Sequence, residues 1–502
     1  MFGKILIANR GEIAVRVIKT CREMGILATA VYSEADRTSL HVGLADEAVF
    51  IGPPPARESY LDMGRIIRAA KETGAEAIHP GYGFLSENAD FARLCEKEKI
   101  IFIGPDSRAL ELVGDKIRAR RTMEKAGVPI VPGMRDIPGP GEFPAAAEAL
   151  GYPVMVKASA GGGGKGMRVV RRPEDLGTAL EAGRREAQSA FGDASIYLER
   201  CLEDPRHVEV QVLADRHGHM VHLGERECSI QRRHQKIVEE SPSPALDDAL
   251  RAEMGRTAVE AMRAAGYTSA GTVEFLLDKD RRYYFLEVNA RLQVEHPVTE
   301  LVTGVDLVRQ QILIASGESL EFGQADILRR GHAIECRIYA EDPAANFLPS
   351  AGTILFFKEP QGPGVRHDGG IYSGWNVPIF YDPILAKLIV WAENRDRACR
   401  RLEAALGEYV LLGIHTTAAF LKDVVAHPEF RAGRTDTGFI PRYFEDWTPG
   451  PARDEDVRLA LAAAAFRDQG GSGRPEKGSG RETRERPDSP WTSIGRWRSG
   501  GA

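Results

Sequence analysis

The sequence predicts an α/β protein made of several packed units, with a parallel sheet near its N-terminus. Three observations favour this fold class. A strand–turn–helix–strand pattern opens the chain, strand and helix patterns continue to alternate to about residue 113, and 502 residues exceed one ordinary hydrophobic core. The composition agrees, because 43% apolar and 27% charged residues are typical of folded soluble proteins.

The first unit, residues 1–113, is predicted to form the parallel sheet. An amphipathic stretch at 13–24 predicts a helix between two apolar strand patterns. The predicted strands are 5–8, 28–32, 47–51, 77–78 and 100–103. The turn Asn9-Arg10-Gly11-Glu12 lacks G-x-G-x-x-G, so a dinucleotide site is not indicated there.

Two further units and a tail are predicted after residue 113. The second unit, 114–330, begins with a basic helix from Asp115 and a Pro- and Gly-rich stretch at 128–144 that is typical of a hinge. The third unit is 331–445, and strand patterns in these two units lie at 153–158, 167–171, 207–213, 333–339 and 384–390. Residues 446–502 predict one alanine-rich helix at 454–468 and a tail too poor in apolar residues to order itself.

Charge and cysteine content argue against several classes of protein. A net charge of -6 gives no basic field for nucleic acid. The six cysteines form no C-x-x-C pair, which is typical of a reducing compartment. The N-terminal apolar run, residues 5–8, is shorter than a signal-peptide core or a membrane span. We therefore expect a cytoplasmic protein without nucleic-acid or membrane partners.

The run Gly161-Gly162-Gly163-Gly164-Lys165-Gly166 predicts a phosphate-binding loop. Glycine amides can approach phosphate oxygens closely, and Lys157 adds a cation at the end of the preceding strand. The loop lies between two strands, and no Ser or Thr follows Lys165, so it fits neither a Rossmann nor a Walker A loop. A flexible hairpin turn is the alternative.

Residues 272–289 predict an antiparallel hairpin with two facing carboxylates. If Lys279 lies opposite Arg282, Glu274 falls opposite Glu287 on one face, with Cβ atoms about 5 Å apart. The same register pairs Thr272 with Asn289. The opposite face is predicted to carry the apolar side chains Val273, Phe275, Leu277, Tyr284, Leu286 and Val288.

Two buried carboxylates at this distance repel each other and require neutralisation. A hard divalent cation such as Mg²⁺, held by carboxylates and nucleotide phosphates, supplies it in phosphoryl transfer. The alternative is a pair of solvent-facing glutamates on an edge hairpin. The hairpin therefore predicts a metal site.

The run Arg291-Leu292-Gln293-Val294-Glu295 follows the hairpin and predicts a site for a small anion. An extended chain places Arg291, Gln293 and Glu295 on one side. Arginine offers a forked donor, glutamine a neutral donor, and glutamate a base that can take a proton from a bound acid. A surface salt-bridge ladder is the alternative.

Several long motifs occur in a fixed order within residues 1–445: 7–14, 79–88, 161–166, 205–209, 287–300, 335–338 and 381–383. Through them the chain resembles biotin carboxylase, the ATP-grasp component of acetyl-CoA carboxylase and related biotin-dependent acyl-CoA and pyruvate carboxylases. The resemblance implies an N-terminal α/β domain at 1–113 and an ATP-grasp domain at 114–330 with a mobile flap at about 131–202. It also implies an α+β C-terminal domain at 331–445.

The resemblance assigns roles to individual residues. ATP is expected to contact Lys116, Lys157, Gly163, Gly164, Glu199, Arg200, Cys201, Leu202, His207, Gln231, His234, Lys236, Glu274, Leu276 and Glu287, with residues 199–202 as the adenine hinge. Mg²⁺ or Mn²⁺ is expected on Glu274, Glu287 and Asn289. Bicarbonate is expected against Lys236, Arg291, Gln293 and the Val294 backbone.

The resemblance also implies a reaction. Glu295 deprotonates bicarbonate for attack on the γ-phosphate of ATP, and the resulting carboxyphosphate yields CO₂ and phosphate. Phosphate removes the ureido proton of biotin, and Arg337 stabilises the resulting enolate. Taken alone, Arg337 fits equally well as a structural ion-pair partner of Glu335 or Glu341.

Two departures from the family pattern, Ala160 and Lys165, leave Gly161 to Gly164 unchanged. No Met-Lys-Met sequence occurs, so biotin is expected on a partner, a biotin carboxyl carrier protein. A carboxyltransferase partner and a homodimer are implied as well. That partner chooses the final carboxyl acceptor, acetyl-CoA or another, and nothing in this sequence identifies it. The Trp-containing segments at 489–491 and 496–498 are similar to the linker of fused acyl-CoA carboxylase α-subunits.

Two other functions compete with this prediction. A different ATP-grasp ligase, of the carbamoyl-phosphate or amino-acid type, would share the nucleotide and metal residues, and the run 291–295 with Arg337 separates the two. A non-enzymatic scaffold would not need paired carboxylates within a strand pair. A protein kinase is excluded, because neither His-Arg-Asp nor Asp-Phe-Gly accompanies the glycine-rich loop.

Overall fold

The computed structural model describes residues 1–134, 141–158 and 167–450, together with residues 455 and 458. The chain divides into two compact units, Met1–Thr448 and Pro449–Ala502. The predicted phosphate loop, including Gly163 and Gly164, lies outside the described residues, as do most of the predicted helix at 454–468 and the tail. The architecture below concerns the first unit.

The N-terminal region is a five-stranded parallel sheet, as the alternating pattern predicts. Its strands are β1 (Lys4–Ile7), β2 (Leu27–Ser33), β3 (Glu47–Gly52), β4 (Ala77–His79) and β5 (Ile101–Phe102), in the order β3-β2-β1-β4-β5. The helices are α1 (Gly11–Glu23), α2 (Leu40–Leu44), α3 (Met63–Thr73), α4 (Ala89–Lys97) and α5 (Ser107–Gly114). Buried apolar side chains from β1 and α1 form one core, typical of a parallel sheet covered by helices.

A small three-stranded sheet follows the first region. The basic helix is α6 (Lys116–Lys125), whose first turn is capped by the Asp115 side chain, which accepts from the backbone N–H groups of Ile117 and Arg118. The sheet has the order β7-β6-β8 and is covered by two helices. The elements are α7 (Phe143–Leu150), β6 (Val154–Ala158), β7 (Arg168–Val170), α8 (Leu176–Phe191) and β8 (Ile196–Arg200). Phe143, Val154 and Leu198 belong to a core of its own.

An eight-stranded antiparallel sheet is the centre of the molecule, in the order β13-β12-β9-β10-β11-β14-β21-β19. Its first five strands are β9 (Arg206–Ala214), β10 (Met220–Arg232), β11 (Gln235–Ser241), β12 (Ser269–Leu277) and β13 (Tyr283–Asn289). Three helices accompany them, α9 (Asp248–Ala264), α10 (His296–Thr303) and α11 (Leu307–Ala315).

The central sheet continues into the predicted third unit. Its strands here are β14 (His332–Tyr339), β19 (Val365–Gly369) and β21 (Ile384–Ala392). Short strands are β15 (Glu341–Asp342), β16 (Leu348–Pro349), β17 (Gly352–Thr353), β18 (Phe356–Lys358), β20 (Asn376–Val377) and β22 (Val410–Leu412). The helices are α12 (Arg395–Glu408), α13 (Ala418–Ala426), α14 (Pro428–Arg431) and α15 (Phe439–Phe444). Because β11 pairs with β14, one sheet crosses the boundary predicted at 330/331.

The hairpin β12–β13 has the predicted register at the residues of the predicted metal site. Thr272 pairs with Asn289 and Glu274 with Glu287. Nearer the turn the prediction was wrong by one residue, since the Asp278 N–H, not that of Lys279, donates to the Arg282 carbonyl, at 2.9 Å.

A β-bulge between the two parts of the hairpin explains the difference. The register shifts after Glu274, so Phe275 pairs with Phe285 and Leu286 is the extra residue. The predicted apolar face was therefore partly wrong. Tyr283 and Phe285 join the buried core in place of Tyr284 and Leu286, and Leu286 turns toward the cavity that Glu274 and Glu287 line.

The predicted strands of the described residues are present with ends within two residues of the expected positions, except that β12 begins at Ser269, three residues before the predicted start of the hairpin. The predicted unit boundaries and the mobile flap stay predictions. Among the described residues, no helix is long and apolar enough to cross a bilayer.

Candidate active site

One cavity of about 1080 Å³ collects most of the predicted site residues. It lies where β6 and β8 face the central sheet and the N-terminal end of α1. The predicted residues that line it are Lys116, Lys157, Glu199, Arg200, Leu202, His207, Gln231, His234, Lys236, Glu274, Leu276, Glu287, Asn289, Arg291, Gln293, Val294 and Arg337. Cys201 and Glu295 are outside this lining.

Glu274, on β12, is a buried carboxylate surrounded by donors. Its Oε1 accepts from Lys236 Nζ at 2.7 Å, Asn289 Nδ2 at 2.9 Å and Gln293 Nε2 at 3.3 Å. Its Oε2 accepts from His207 Nε2 at 2.9 Å. Burial alone would raise the pKa of Glu274, but Lys236 and His207 hold it well below the usual range, so the carboxylate is ionised.

Lys236, on β11, joins three carboxylates. Its Nζ lies 2.5 Å from Glu209 Oε2, 2.7 Å from Glu274 Oε1 and 2.7 Å from Glu295 Oε1. Burial alone would lower the pKa of Lys236, but these three carboxylates raise it well above its usual value. The ammonium is therefore charged and links the predicted metal ligand to the predicted base.

Arg337, on β14, holds the other oxygen of Glu295. Its Nη2 donates to Glu295 Oε2 at 2.9 Å, and its Nε donates to Glu239 Oε1 at 2.6 Å. The alternative in which Arg337 is a structural ion-pair partner of Glu335 or Glu341 was wrong, because Arg337 pairs with Glu239 and Glu295 instead. Arg337 lines the cavity and is bonded to the predicted base.

Glu295 is fully buried, and cations surround its carboxylate. Burial alone would raise its pKa, but Lys236, Arg337 and Arg226 hold the pKa well below the usual range. The alternative of a surface salt-bridge ladder is contradicted by this burial. The run 291–295 is not extended throughout, since the chain turns at Val294 and Glu295 before α10 begins.

Arg291 is fixed at the start of the run. Its Nε lies 2.9 Å from Glu87 Oε2, and its Nη2 donates to Asn289 Oδ1 at 3.0 Å. Its Nη1 donates to Gln293 Oε1 at 3.1 Å. One guanidinium therefore orients both a predicted metal ligand and a predicted bicarbonate ligand.

Several of the predicted nucleotide residues are joined by ion pairs. Lys157 Nζ lies 2.6 Å from Glu199 Oε2, and Arg120 contacts the other oxygen of Glu199. The side chain of Glu287 is about a third exposed, and Lys116 Nζ lies 3.5 Å from its Oε2.

The predicted metal ligands fit a hard divalent ion. Glu274 and Glu287 are register partners across β12–β13, both line the cavity with Asn289, and all three carry oxygen donors. Among the described residues, the ion pair of Glu287 is the 3.5 Å contact with Lys116, so much of its carboxylate is free for a further partner there. Carboxylate and amide oxygens of this kind are the donors that Mg²⁺ or Mn²⁺ prefers.

Several residues of the site were not assigned a role from the sequence. Glu209 holds both Lys236 and the fully buried Arg226, whose Nη1 donates to Gln211 Oε1 at 2.8 Å. A signal existed, because His207, Glu209 and Gln211 alternate with valines along β9. Glu209, His207 and Glu274 place ligand atoms within 4.8 Å of one another, and Lys236 contacts both glutamates of this cluster.

Comparison with known proteins places this site in a family. Three family models match in sequence: the biotin carboxylase N-terminal domain over residues 1–110, the ATP-binding domain of the carbamoyl-phosphate synthase L chain over 115–322, and the biotin carboxylase C-terminal domain over 335–442. The chain is 53% identical over 445 residues to biotin carboxylase 1 of Bacillus subtilis, which covers 88% of this chain and 99% of that protein. The chain belongs to the biotin carboxylase family.

Two other relatives extend beyond the region that they share with this chain. The mitochondrial methylcrotonoyl-CoA carboxylase alpha polypeptide of Dictyostelium discoideum is 49% identical over 99% of this chain and 70% of its own length. The propionyl-CoA carboxylase alpha chain of Ruegeria pomeroyi is 49% identical over 93% of this chain and 72% of its own length.

Solved structures of the family have the same fold. The biotin carboxylase domain dimer of Hydrogenobacter thermophilus 2-oxoglutarate carboxylase, with MgADP, ADP and bicarbonate, has a TM-score of 0.86 and 47% identity, covering 90% of this chain and 100% of that chain. The Campylobacter jejuni biotin carboxylase has a TM-score of 0.86 and 46% identity, covering 88% of this chain and 99% of that chain. The fold is the ATP-grasp fold predicted from the motifs, and the chain is an ATP-dependent ligase that carboxylates biotin.

Proposed function

We propose that this biotin carboxylase uses bicarbonate, activated by ATP, to carboxylate biotin carried on a separate polypeptide. The observation that carries the proposal is the placement of Glu295. It lies between Lys236 and Arg337, which both line the cavity, and it ends the run that begins at Arg291. A base beside anion-binding donors suits deprotonation of bicarbonate.

ATP would occupy the side of the cavity formed by Lys116, Lys157, residues 199–202, His207, Gln231, His234 and Leu276, and the phosphates would reach Gly163 and Gly164. Glu274, Glu287 and Asn289 would hold Mg²⁺ or Mn²⁺, which when bound supplies positive charge that neutralises the transferring phosphate. Lys116 and Lys157 add fixed cations near the same phosphates.

Bicarbonate would bind to Lys236, Arg291, Gln293 and the Val294 backbone. Its hydroxyl proton passes to Glu295, an oxygen of the anion forms a bond to the γ-phosphorus, and the bond to the ADP oxygen breaks. Carboxyphosphate then loses CO₂, and the released phosphate takes the ureido proton of biotin. The deprotonated nitrogen attacks CO₂, while Arg337 stabilises negative charge on the ureido oxygen.

The partners in this proposal are a biotin carboxyl carrier protein and a carboxyltransferase, and the chain forms a homodimer in the cytoplasm. No Met-Lys-Met sequence occurs within the 502 residues, so none of them is the usual lysine for covalent biotin attachment. The final carboxyl acceptor differs among the relatives, whose names include methylcrotonoyl-CoA, propionyl-CoA and pyruvate carboxylases.

A steady-state assay of ADP release tests the proposal. ATP hydrolysis should require bicarbonate, and free biotin should stimulate it. ATP turnover that is indifferent to biotin would instead favour a ligase of the carbamoyl-phosphate type, whose ATP-binding domain gives its name to the family model matched at 115–322.

A further inference from the structure

Two buried side chains hold consecutive backbone carbonyls behind the run 291–295. His296 Nδ1 lies 2.7 Å from the Gln293 carbonyl oxygen. Lys387 Nζ donates to the Val294 carbonyl oxygen at 3.0 Å. Both side chains are fully buried, and neither lines the cavity. They therefore act on the backbone of the run and not on a ligand.

The geometry of the peptide bond determines where the Val294 N–H points once the Gln293 carbonyl is held. In a trans peptide the C=O of one residue and the N–H of the next point to opposite sides. Because His296 holds the Gln293 carbonyl within the protein, the Val294 N–H points the other way. Val294 lines the cavity, and among the described residues its N–H donates to no atom. A backbone donor is thus left available to an anion.

His296 can act as a permanent donor because its ring is neutral. Burial, followed by the nearby cations Lys387, Arg16 and Arg366, holds its pKa well below the usual value. A neutral imidazole carries one proton, and the contact with a carbonyl places that proton on Nδ1. Among the described residues, the other nitrogen, Nε2, has no hydrogen-bond partner.

Lys387 connects the run to two other parts of the fold. It lies on β21, and its Nζ is 3.2 Å from Glu12 Oε2 on α1 and 4.0 Å from Asp368 Oδ2 on β19. These carboxylates balance the buried ammonium. The Val294 carbonyl is therefore fixed by a group that helix and sheet hold in place.

We infer that His296 is a positioning residue that aims the Val294 N–H at bicarbonate by holding the Gln293 carbonyl on the opposite side of their shared peptide, and that Lys387 fixes the next peptide through the Val294 carbonyl. This inference rests on the proposed function, in which bicarbonate contacts the Val294 backbone. Neither residue touches the substrate or the nucleotide in this arrangement. Their loss should therefore act on bicarbonate and leave ATP binding unchanged.

The test compares His296→Leu with His296→Asn. Leucine removes the donor and also the unpartnered Nε2, so the variant should fold, whereas asparagine keeps a donor near the position of Nδ1. We expect His296→Leu to raise the KM for bicarbonate about tenfold, the size of one lost hydrogen bond, and to keep the KM for ATP within about twofold. His296→Asn should restore most of the bicarbonate affinity.

Three results would overturn the inference. They are an unchanged KM for bicarbonate in His296→Leu, an equal rise in the KM for ATP, and no recovery in His296→Asn. Wild-type enzyme with no bicarbonate-dependent turnover would instead overturn the proposed function and this inference with it. Lys387→Met would leave the buried Glu12 without its cationic partner and could destabilise the fold, so the two His296 variants are the ones to compare.

Discussion

Lys236 and Glu295 form a buried ion pair in which the ammonium nitrogen lies 2.7 Å from Oε1 of the carboxylate. The second oxygen of Glu295 accepts from Arg337 at 2.9 Å. The base proposed for bicarbonate is thus ionised but strongly stabilised by its two cationic partners. An incoming anion that takes over Lys236 and Arg337 would release part of that stabilisation and increase the basicity of Glu295.

Replacing Glu295 by glutamine should lower the rate of biotin carboxylation by a factor of about 10² to 10⁴, the usual contribution of general-base catalysis. The amide has nearly the same shape but cannot take the proton. The rate of carboxylation of free biotin checks this, and metal-dependent nucleotide binding by calorimetry should stay intact. Glu318→Gln, at an exposed glutamate outside the cavity, is the matched control. Turnover similar to wild type would remove Glu295 from the chemistry.

Replacing Glu287 by glutamine should weaken Mg²⁺-dependent nucleotide binding at least about tenfold, since even outer-shell partners of metal ligands contribute 10- to 100-fold. The free energy of unfolding should barely change, because the side chain is partly exposed and its ion-pair partner is Lys116 at 3.5 Å. Calorimetric titration with Mg²⁺–nucleotide measures the effect. If Glu287→Gln bound the nucleotide as wild type does, Glu287 would not be a metal ligand.

Replacing Arg337 by methionine should destabilise the protein by about 3–5 kcal/mol, because Glu239 would lose its buried cationic partner and Glu295 would keep Lys236 but lose Arg337. Chemical denaturation measures this loss. Glu295→Gln should cost less in this background than in the wild type, since the Arg337–Glu295 ion pair is already gone. Simple additivity of the two substitutions would show that Arg337 and Glu295 are not coupled in the folded protein.

Replacing Glu335 by glutamine should flatten the pH dependence of stability. Glu335 on β14 is the register partner of Glu239 on β11, and among the described residues neither of its oxygens has a hydrogen-bond partner. Burial raises the pKa of Glu335 well above its usual value, Lys387 opposes this and Glu239 adds to it. The folded protein therefore keeps a proton that the unfolded chain loses above about pH 4.5.

Stability contributed by that proton is present below about pH 4.5 and is lost as the pH rises from there towards the raised pKa of the folded state. The wild-type Tm should consequently fall more steeply between about pH 5 and 8 than the Tm of Glu335→Gln. Scanning calorimetry at several pH values measures both slopes. Parallel slopes would mean that Glu335 titrates normally in the fold.

Local patterns were sufficient to predict much of the fold and part of the site geometry. Strands of alternating or continuous apolar residues are local features, so β1, β9 and β14 were found near their true ends. The pairing of Glu274 with Glu287 followed from the period of two along a strand. The assignment of individual ligands depended on the family motifs.

Other features have no local signal. The bulge at Leu286 inserts one residue without changing the composition of the strand, so the reversal of Tyr284 and Leu286 could not be predicted. The pairing of β11 with β14 joins segments about 90 residues apart, and nothing in either segment specifies its partner. The contact of Glu239 with Arg337 follows from that distant pairing.

The proposed mechanism depends above all on one bond, formed when an oxygen of bicarbonate attacks the γ-phosphate of ATP beside Glu274, Arg291 and Glu295. Mass spectrometry of the phosphate released from ATP in the presence of ¹⁸O-labelled bicarbonate and biotin detects whether that bond forms. We expect one labelled oxygen in each phosphate at the start of the reaction. Phosphate without label, at a rate of ATP hydrolysis that still depends on bicarbonate, would contradict the mechanism.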